Sequence, residues 1–257
     1  MEEFSITKIR SGISERVSVF VSEEVPLTIE VNGNEISTML CSPSDLENLV
    51  IGFLYTSGFI YSPDSIKNIV IDRDQWKATI SMEADGLPDD MVFKRIYTSG
   101  CGKGILFHNP IDLMQRDKIE DNLKVHSNNI ENLMRCFLKK SEEHAKTRGV
   151  HSCALVKEGE IIIFRDDIGR HNALDKIIGA ALIDNHGFHN QIILTSGRIS
   201  SEIISKIIRC GFPVIIAAGA PTNQAVKIAQ SLNLTIIGFV RGKSMNVYSG
   251  EQRIVCP

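Results

Sequence analysis

Residues 164–179 read Phe-Arg-Asp-Asp-Ile-Gly-Arg-His-Asn-Ala-Leu-Asp-Lys-Ile-Ile-Gly. Acids, bases, an imidazole, an amide and two glycines crowd into what reads as a strand-to-helix junction, more polar function than a structural turn needs. Arg170 and His171 are candidates for a binding pocket in preference to direct catalysis. His171 also fits a structural role at a helix start, and Asn172 is a candidate helix cap with Asp175 in the first turn. Asp166 and Asp167 suit either a ligand's hydroxyl and amide edges or the orientation of Arg170.

A second candidate lies upstream, at Ser99-Gly100-Cys101-Gly102-Lys103-Gly104. Glycine removes side-chain cover and permits unusual backbone angles, so a large partner can approach the sulfur. A nearby ammonium favours thiolate, which is the nucleophile. Those are the demands on a sulfur carrier that attacks a persulfide, holds the outer sulfur and surrenders it by exchange chemistry. A glycine-rich turn that includes a cysteine satisfies the same residues, and from the residues alone both readings stand.

Three later segments suit an anion. Ser196-Gly197-Arg198 follows an apolar run, and Ile199 opens a helical pattern. A hydroxyl, a guanidinium and helix-start N–H groups would make a cradle there. Gly219-Ala220-Pro221-Thr222 repeats the arrangement, although Pro and Thr also simply start helices well. Phe239-Val240-Arg241-Gly242-Lys243-Ser244 follows the last apolar run and brings Arg241 and Lys243 beside a glycine.

The elements that position these groups follow from periodicity. Residues 15–40 alternate and read as one hairpin turning at Val31-Asn32-Gly33-Asn34. Ser42-Pro43-Ser44-Asp45 reads as a helix start, with a helix running to Ser57 and stopped by Gly58. Further strands are expected over 66–97, leading into the cysteine loop. Residues 127–147 read as one amphipathic helix burying Ile130, Leu133, Met134, Phe137 and Leu138. The polar stretch 115–127 suggests a boundary, giving an N-terminal lobe over 1–125 and a C-terminal lobe over 126–257. In the latter, His151–Val156 and Ile161–Arg165 are strands and a helix starts at Asn172, burying Leu174, Ile177, Ile178, Ala181 and Leu182. Gln191–Leu194, Pro213–Ala218 and Leu234–Phe239 are buried strands separated by helices. Such alternation predicts an α/β lobe with a mostly parallel sheet covered on both faces. In an open α/β sheet, ligands favour the crevice at the carboxyl ends of the strands, where the three anion segments should converge.

The 257 residues, 43% hydrophobic and 23% charged, suffice for one large domain or two small ones. A net charge of −3 gives no reason to expect nucleic acid. No apolar run is long enough to span a bilayer, and the acidic start is unlike a signal peptide, so a soluble cytoplasmic protein without membrane partners is expected. Six cysteines (41, 101, 136, 153, 210 and 256) include no CxxC pair. Neither a disulfide framework nor a zinc ligand set is expected. Cys41, Cys153 and Cys210 read as buried thiols, whereas Cys136 and Cys256 read as accessible.

Taken in order, the Cys101 loop, the block from Phe164 to Lys176, Thr195-Ser196-Gly197-Arg198 and Gly238–Ser244 resemble the formate dehydrogenase accessory sulfurtransferases, the FdhD family. Pro26-Leu27-Thr28, Gly52–Gly58 and Ala220-Pro221-Thr222 extend the resemblance over nearly the whole chain. It implies a cytidine-deaminase-like mixed sheet flanked by helices, with a smaller N-terminal α+β lobe, usually as a homodimer. It also implies sulfur transfer from a cysteine desulfurase to the molybdenum (or tungsten) bis-guanine-dinucleotide cofactor, before that cofactor enters the formate dehydrogenase catalytic subunit. On this resemblance Cys101 is the persulfide carrier, and Phe239–Ser244 is the segment associated with the cofactor. The family loop is of Cys-Gly-x-Cys-Gly type, and here Gly104 stands at the second cysteine position. A two-thiol relay is thereby lost, so Cys101 must act alone.

Two rivals remain. A zinc deaminase needs His-x-Glu and Pro-Cys-x-x-Cys; His151-Ser152-Cys153 lacks the glutamate and the second motif is absent. A cofactor-binding chaperone without sulfur transfer would keep the anion segments and make Cys101 incidental, and Gly104 is its best support.

Overall fold

The computed structural model describes residues 1–83 and 117–256. The cysteine loop, with Cys101 and Gly104, and residues 84–97 of the expected strand region lie outside the described residues.

Two hairpins, not one, open the chain. Strand β1 (Glu2–Arg10) pairs antiparallel with β2 (Ile13–Val21) around Ser11-Gly12, both at positive φ. Strand β3 (Val25–Val31) pairs with β4 (Asn34–Cys41) around Asn32-Gly33, with φ of 48° and 81°. Both turns match the left-handed geometry that two-residue hairpin loops require. The alternation starting at residue 15 therefore belongs to two ribbons, because residues 2–10 supply a nearer partner for residues 15–21. Strands β5 (Ile66–Asp72) and β6 (Lys77–Met82) complete a four-stranded sheet in the order β4-β3-β6-β5. Val25, Leu27, Ile29 and Val31 point from β3 into its core against Leu49, Phe53 and Leu54 of helix α1 (Leu46–Ser57). Gly58, at φ 89°, closes that helix by donating to the Leu54 and Tyr55 carbonyls.

The start of α1 differs from expectation, since no side chain caps it. Ser42 is turned inward instead. Its amide donates to Asp167 Oδ2 (3.1 Å), and its Oγ accepts from the Ile168 amide (3.1 Å). The segment that reads as a cap is a tether to the strand-to-helix junction.

The region 127–147 is two helices, α2 (Ser127–Lys140) and α3 (Glu142–Thr147). They break at Ser141, whose Oγ accepts from the His144 amide and donates to Asp166 Oδ2 (2.6 Å). Leu138, expected in the core, is exposed. Short strands β7 (Val125–His126) and β14 (Ile254–Val255) pair in parallel.

The main sheet runs β13-β12-β11-β10-β8-β9. Its strands are β8 (His151–Lys157), β9 (Glu160–Asp167), β10 (Gln191–Thr195), β11 (Val214–Ala217), β12 (Thr235–Arg241) and β13 (Ser244–Ser249). Only β10-β11 and β11-β12 are parallel; the other three pairings are antiparallel. The sheet is thus mixed, not mostly parallel, because β8–β9 and β12–β13 are hairpins closed by short polar turns. Helices α4 (Arg170–Ile183), α5 (Ser201–Cys210) and α6 (Asn223–Ser231) cover one face, and α2 covers the other.

Helices α1 and α4 join the two halves. A Cβ at Gly52 would lie 1.9 Å from the Asp175 carbonyl oxygen, and one at Gly179 equally close to that of Asn48. Only glycine allows the two backbones this approach. Beside the contact, Lys206 Nζ bridges both carboxylate oxygens of Asp175 (2.8 and 2.7 Å) and Thr56 Oγ1 (2.8 Å), all buried. A buried charge pair needs every remaining valence filled, and here α1, α4 and α5 each contribute one member. Among the described residues, no helix is long and apolar enough to cross a membrane.

Candidate functional site

Strands β9, β10, β11 and β12 point the same way, so their carboxyl ends share one edge of the sheet, where antiparallel β8 begins. That edge carries His151, Arg170, Ser196–Arg198, Gly219–Thr222 and Phe239–Ser244. Four strand spacings separate the ends of β9 and β12, about 19 Å.

The β9/β10 end is the more closely knit. Ser196 Oγ accepts from the Ser152 amide (2.9 Å) and lies 3.3 Å from His151 Nδ1. With its acceptor side used by the amide, the hydroxyl proton is free for the imidazole or for a ligand. Burial first, and then Arg170, holds the His151 pKa below the ordinary histidine value, so the ring is neutral at pH 7. Gly197 backs onto Arg170: a Cβ there would lie 3.1 Å from Arg170 Cβ and 3.6 Å from His151 Nδ1. Burial and the neighbouring Arg198 disfavour the Arg170 charge, while Glu202 supports it. Arg170 Nε is buried with no hydrogen-bond partner among the described residues. A buried guanidinium with an unused donor, beside a second guanidinium, is what an anion would satisfy.

His171, beside them, donates from Nε2 to Glu202 Oε2 (2.9 Å), and the same nitrogen lies 3.5 Å from Ser200 Oγ. The hydrogen bond from His171 is the main cause that holds the Glu202 carboxyl below its ordinary range. His171 is therefore held by α5 as well as by its own helix.

At the other end, Phe239 turns to φ 54° and donates its amide to the Gly219 carbonyl (3.1 Å). Gly219 itself sits where a Cβ would be 2.7 Å from the Gly197 carbonyl oxygen. The loops after β10, β11 and β12 are thus in backbone contact. Arg241, Gly242, Lys243 and Ser244 form the exposed β12–β13 turn, with the Arg241 guanidinium 5.7 Å from the Phe239 ring. The Val240 side chain points away, into the core beneath α2, leaving only its backbone at the edge.

Several local expectations change. Ser196–Arg198 is not at a helix start, because α5 begins at Ser201 and Ser200 caps it by accepting from the Ile203 amide. The intervening Ile199 bridges to Pro221. Thr222 does cap α6, accepting from the Ala225 amide. Helix α4 starts at Arg170, and Asn172 does not cap it; Asn172 Nδ2 donates to the Leu40 carbonyl (2.8 Å) and Asp167 Oδ1 (3.0 Å). Asp167 is fully buried, 2.7 Å from an equally buried Lys176 Nζ, and also accepts from the Ser42 and Gly169 amides. It locks the junction together, its carboxylate taken up by these buried partners. His151 and Glu202 join the site without having stood out in the sequence. Glu202, two residues after the Ser200 cap, carried only the ordinary signal of a first-turn acid.

The described residues define an α/β protein with a mixed sheet and a strand-end edge furnished with guanidinium, imidazole and close-packed glycine loops. The model of the FdhD/NarQ family matches residues 22–255, and the chain belongs to that family. The sulfur carrier protein FdhD of Geobacillus kaustophilus is 38% identical over 251 residues, covering 97% of this chain and 95% of its own. That of Listeria innocua is 40% identical over 253 residues, covering 97% of each. A crystal structure from Desulfotalea psychrophila, described as a candidate formate dehydrogenase accessory protein, shares the fold. Its TM-score is 0.79 over 99% of both chains, at 24% identity.

Proposed function

We propose that this protein is a sulfur carrier that serves formate dehydrogenase maturation. In this reading it takes sulfur from a cysteine desulfurase and passes it to the molybdenum or tungsten bis-guanine-dinucleotide cofactor. Family membership supports the role, and the strand-end edge supports the substrate. The observation that carries the substrate assignment is the Arg170–Arg198 pair beside Gly197, with the Arg170 Nε buried and without a partner among the described residues. The edge, about 19 Å long at strand spacing, offers a dinucleotide-sized ligand contacts from Arg170 to the β12–β13 turn. Ser196, Gly197 and Arg198 would hold one part of the ligand, and Phe239–Ser244 another. His171 would position Glu202, and the neutral His151 would lend a hydrogen bond.

Sulfur transfer falls to Cys101. Its thiolate attacks the outer sulfur of the desulfurase persulfide; the donor's S–S bond breaks, the donor thiolate leaves, and Cys101 keeps the outer sulfur as its own persulfide. Because Gly104 replaces a second thiol, one cysteine must complete the cycle. The cytidine-deaminase kinship of the fold, the division near residue 125 and a cytoplasmic site of action belong to the same reading. Titration of GDP, the nucleotide end of the cofactor, against wild type and Arg170→Gln/Arg198→Gln tests the substrate assignment. Saturable binding that is lost in the double variant supports it; equal binding by both proteins refutes it.

A further inference from the structure

The β1–β2 hairpin takes no part in the site described above. Among the described residues its attachments to the body lie at its root, where Ser22 Oγ meets Thr147 Oγ1 (2.8 Å) and the Lys146 ammonium sits 5.5 Å from the Phe20 ring. Away from that root the ribbon is exposed along both strands, with Ile9 and Ile13 at the tip 70% and 73% accessible. Cross-strand pairs Phe4–Val19 and Ile6–Val17 put four apolar side chains on one face, and Phe4 and Ile6 remain 44% and 37% accessible. A two-stranded ribbon alone is at best marginally stable in water, and three or more strands with an apolar face are needed. An open strand edge is also a template for pairing with another chain.

The residues of β1 say which chain. The strand reads Glu-Glu-Phe-Ser-Ile-Thr-Lys-Ile-Arg, acids at one end and bases at the other, with Ile6 at its centre. We propose that β1 is the pairing edge of a homodimer, two β1 strands joining antiparallel about Ile6 into one sheet of order β2-β1-β1-β2. This register sets Glu2 opposite Arg10 of the partner subunit, Phe4 opposite Lys8 of the partner subunit, and Ile6 opposite Ile6 of the partner subunit. Opposite charges then face each other at both ends, whereas parallel pairing would set like charges face to face, which destabilises a sheet. A two-fold axis normal to the sheet keeps both apolar faces on one side, so Phe4, Ile6, Val17 and Val19 of each copy merge into one surface. The edge of β2 lacks this self-complementarity, because Glu15 and Arg16 are adjacent. The family resemblance implies a dimer but names no surface for it. This assignment rests on β1 alone and stands or falls independently of the sulfur-carrier reading.

Residues directly opposite in an antiparallel pair have Cα atoms about 4.5–5.5 Å apart, within the roughly 4.4–6.8 Å that a disulfide spans. Full-length protein carrying Cys136→Ser and Cys256→Ser is the parent for the test. Adding Ile6→Cys should give a covalent dimer as the main product under mild oxidation. Adding Ile9→Cys, whose sulfur would lie opposite Glu3 of the partner subunit and far from its own mate, should crosslink no more than the parent. By sedimentation, Arg10→Glu should raise the dimer dissociation constant about tenfold, two end pairs each changing by up to about 1 kcal/mol. Adding Glu2→Arg should restore it. A monomeric wild type overturns the proposal, as does an Ile6→Cys variant that crosslinks no better than Ile9→Cys, or a constant unmoved by Arg10→Glu.

Discussion

Gly197 and Arg170 are in backbone-to-side-chain contact across two strand ends: a Cβ on the glycine would stand 3.1 Å from Arg170 Cβ and 3.3 Å from its Cδ. The flat glycine wall fixes where the guanidinium goes and leaves its Nε without a partner among the described residues. Substituting Gly197 by valine should push Arg170 out of this position while the sheet stays folded. GDP affinity should fall about tenfold or more, the equivalent of one charge-assisted hydrogen bond at about 1.4 kcal/mol. Isothermal titration with a circular dichroism control checks this; unchanged affinity would show that Arg170 does not touch the ligand.

The buried lock at Asp167 and Lys176 makes a prediction about stability. Lys176→Met removes one charge and leaves the fully buried Asp167 carboxylate with amide and side-chain donors only. A loss of about 3 kcal/mol is expected, at the lower end for a broken buried pair. Adding Asp167→Asn removes the stranded charge and should recover part of the loss. Urea unfolding of the three proteins measures it, and a double variant less stable than Lys176→Met would contradict the account.

Gly52→Ala should be more severe still. Its Cβ would stand 1.9 Å from the Asp175 carbonyl oxygen, so α1 must move off α4 and disturb the Lys206–Asp175–Thr56 network. Overpacking of this kind costs about 3 kcal/mol or more. A thermal melt within a degree of wild type would rule the close helix contact out.

Stability should also depend on pH through His151. Its folded pKa is lowered, chiefly by burial, so the unfolded chain takes up the proton first. Acidification below the ordinary value of about 6.5 therefore favours the unfolded state until the folded pKa is passed. Replacing His151 by Asn should flatten the fall in stability on the acid side of that value. Glu202, with its folded pKa lowered chiefly by the hydrogen bond from His171, contributes stability that is present above about pH 4.3 and lost as the pH falls through its folded value. Urea midpoints between pH 7 and 5 should therefore converge if His151 is the group responsible.

Much of this was legible in the sequence. The Asn32-Gly33 turn, the Gly58 stop, the Thr222 cap and the buried runs at 191–194, 213–218 and 234–239 follow from local chemistry. Long-range partners did not show. Ser42 has the spacing of a cap, but its amide and hydroxyl are taken by Asp167 and Ile168, 125 and 126 residues away. Asn172 likewise abandons capping for the Leu40 carbonyl. Periodicity alone points to a mostly parallel sheet because strand–helix alternation covers only β10 to β12; the flanking hairpins make it mixed, as the family resemblance implies. His151 joined the site because β8 starts where β10 ends, a juxtaposition no spacing reveals.

Thiol reactivity separates the cysteines of the described residues. Burial pushes the Cys41 thiol up to about 12 and raises Cys153 and Cys210 as well, whereas Cys136 and Cys256 are exposed. The thiolate is the reactive form, so native alkylation should label Cys136 and Cys256 and spare the other three. Peptide mapping after brief iodoacetamide treatment reads this directly, and labelling of Cys41 would contradict the packing around it.

The most direct test of the sulfur-carrier account is mass spectrometry of the protein after incubation with a cysteine desulfurase and cysteine. Wild type should gain one sulfur on the peptide containing Cys101, and Cys101→Ala should gain none, which would show that one thiol suffices despite Gly104. No adduct on wild type with a competent desulfurase would contradict sulfur carriage and leave a cofactor-binding chaperone. An adduct that survives in Cys101→Ala would instead assign the carrier to another cysteine.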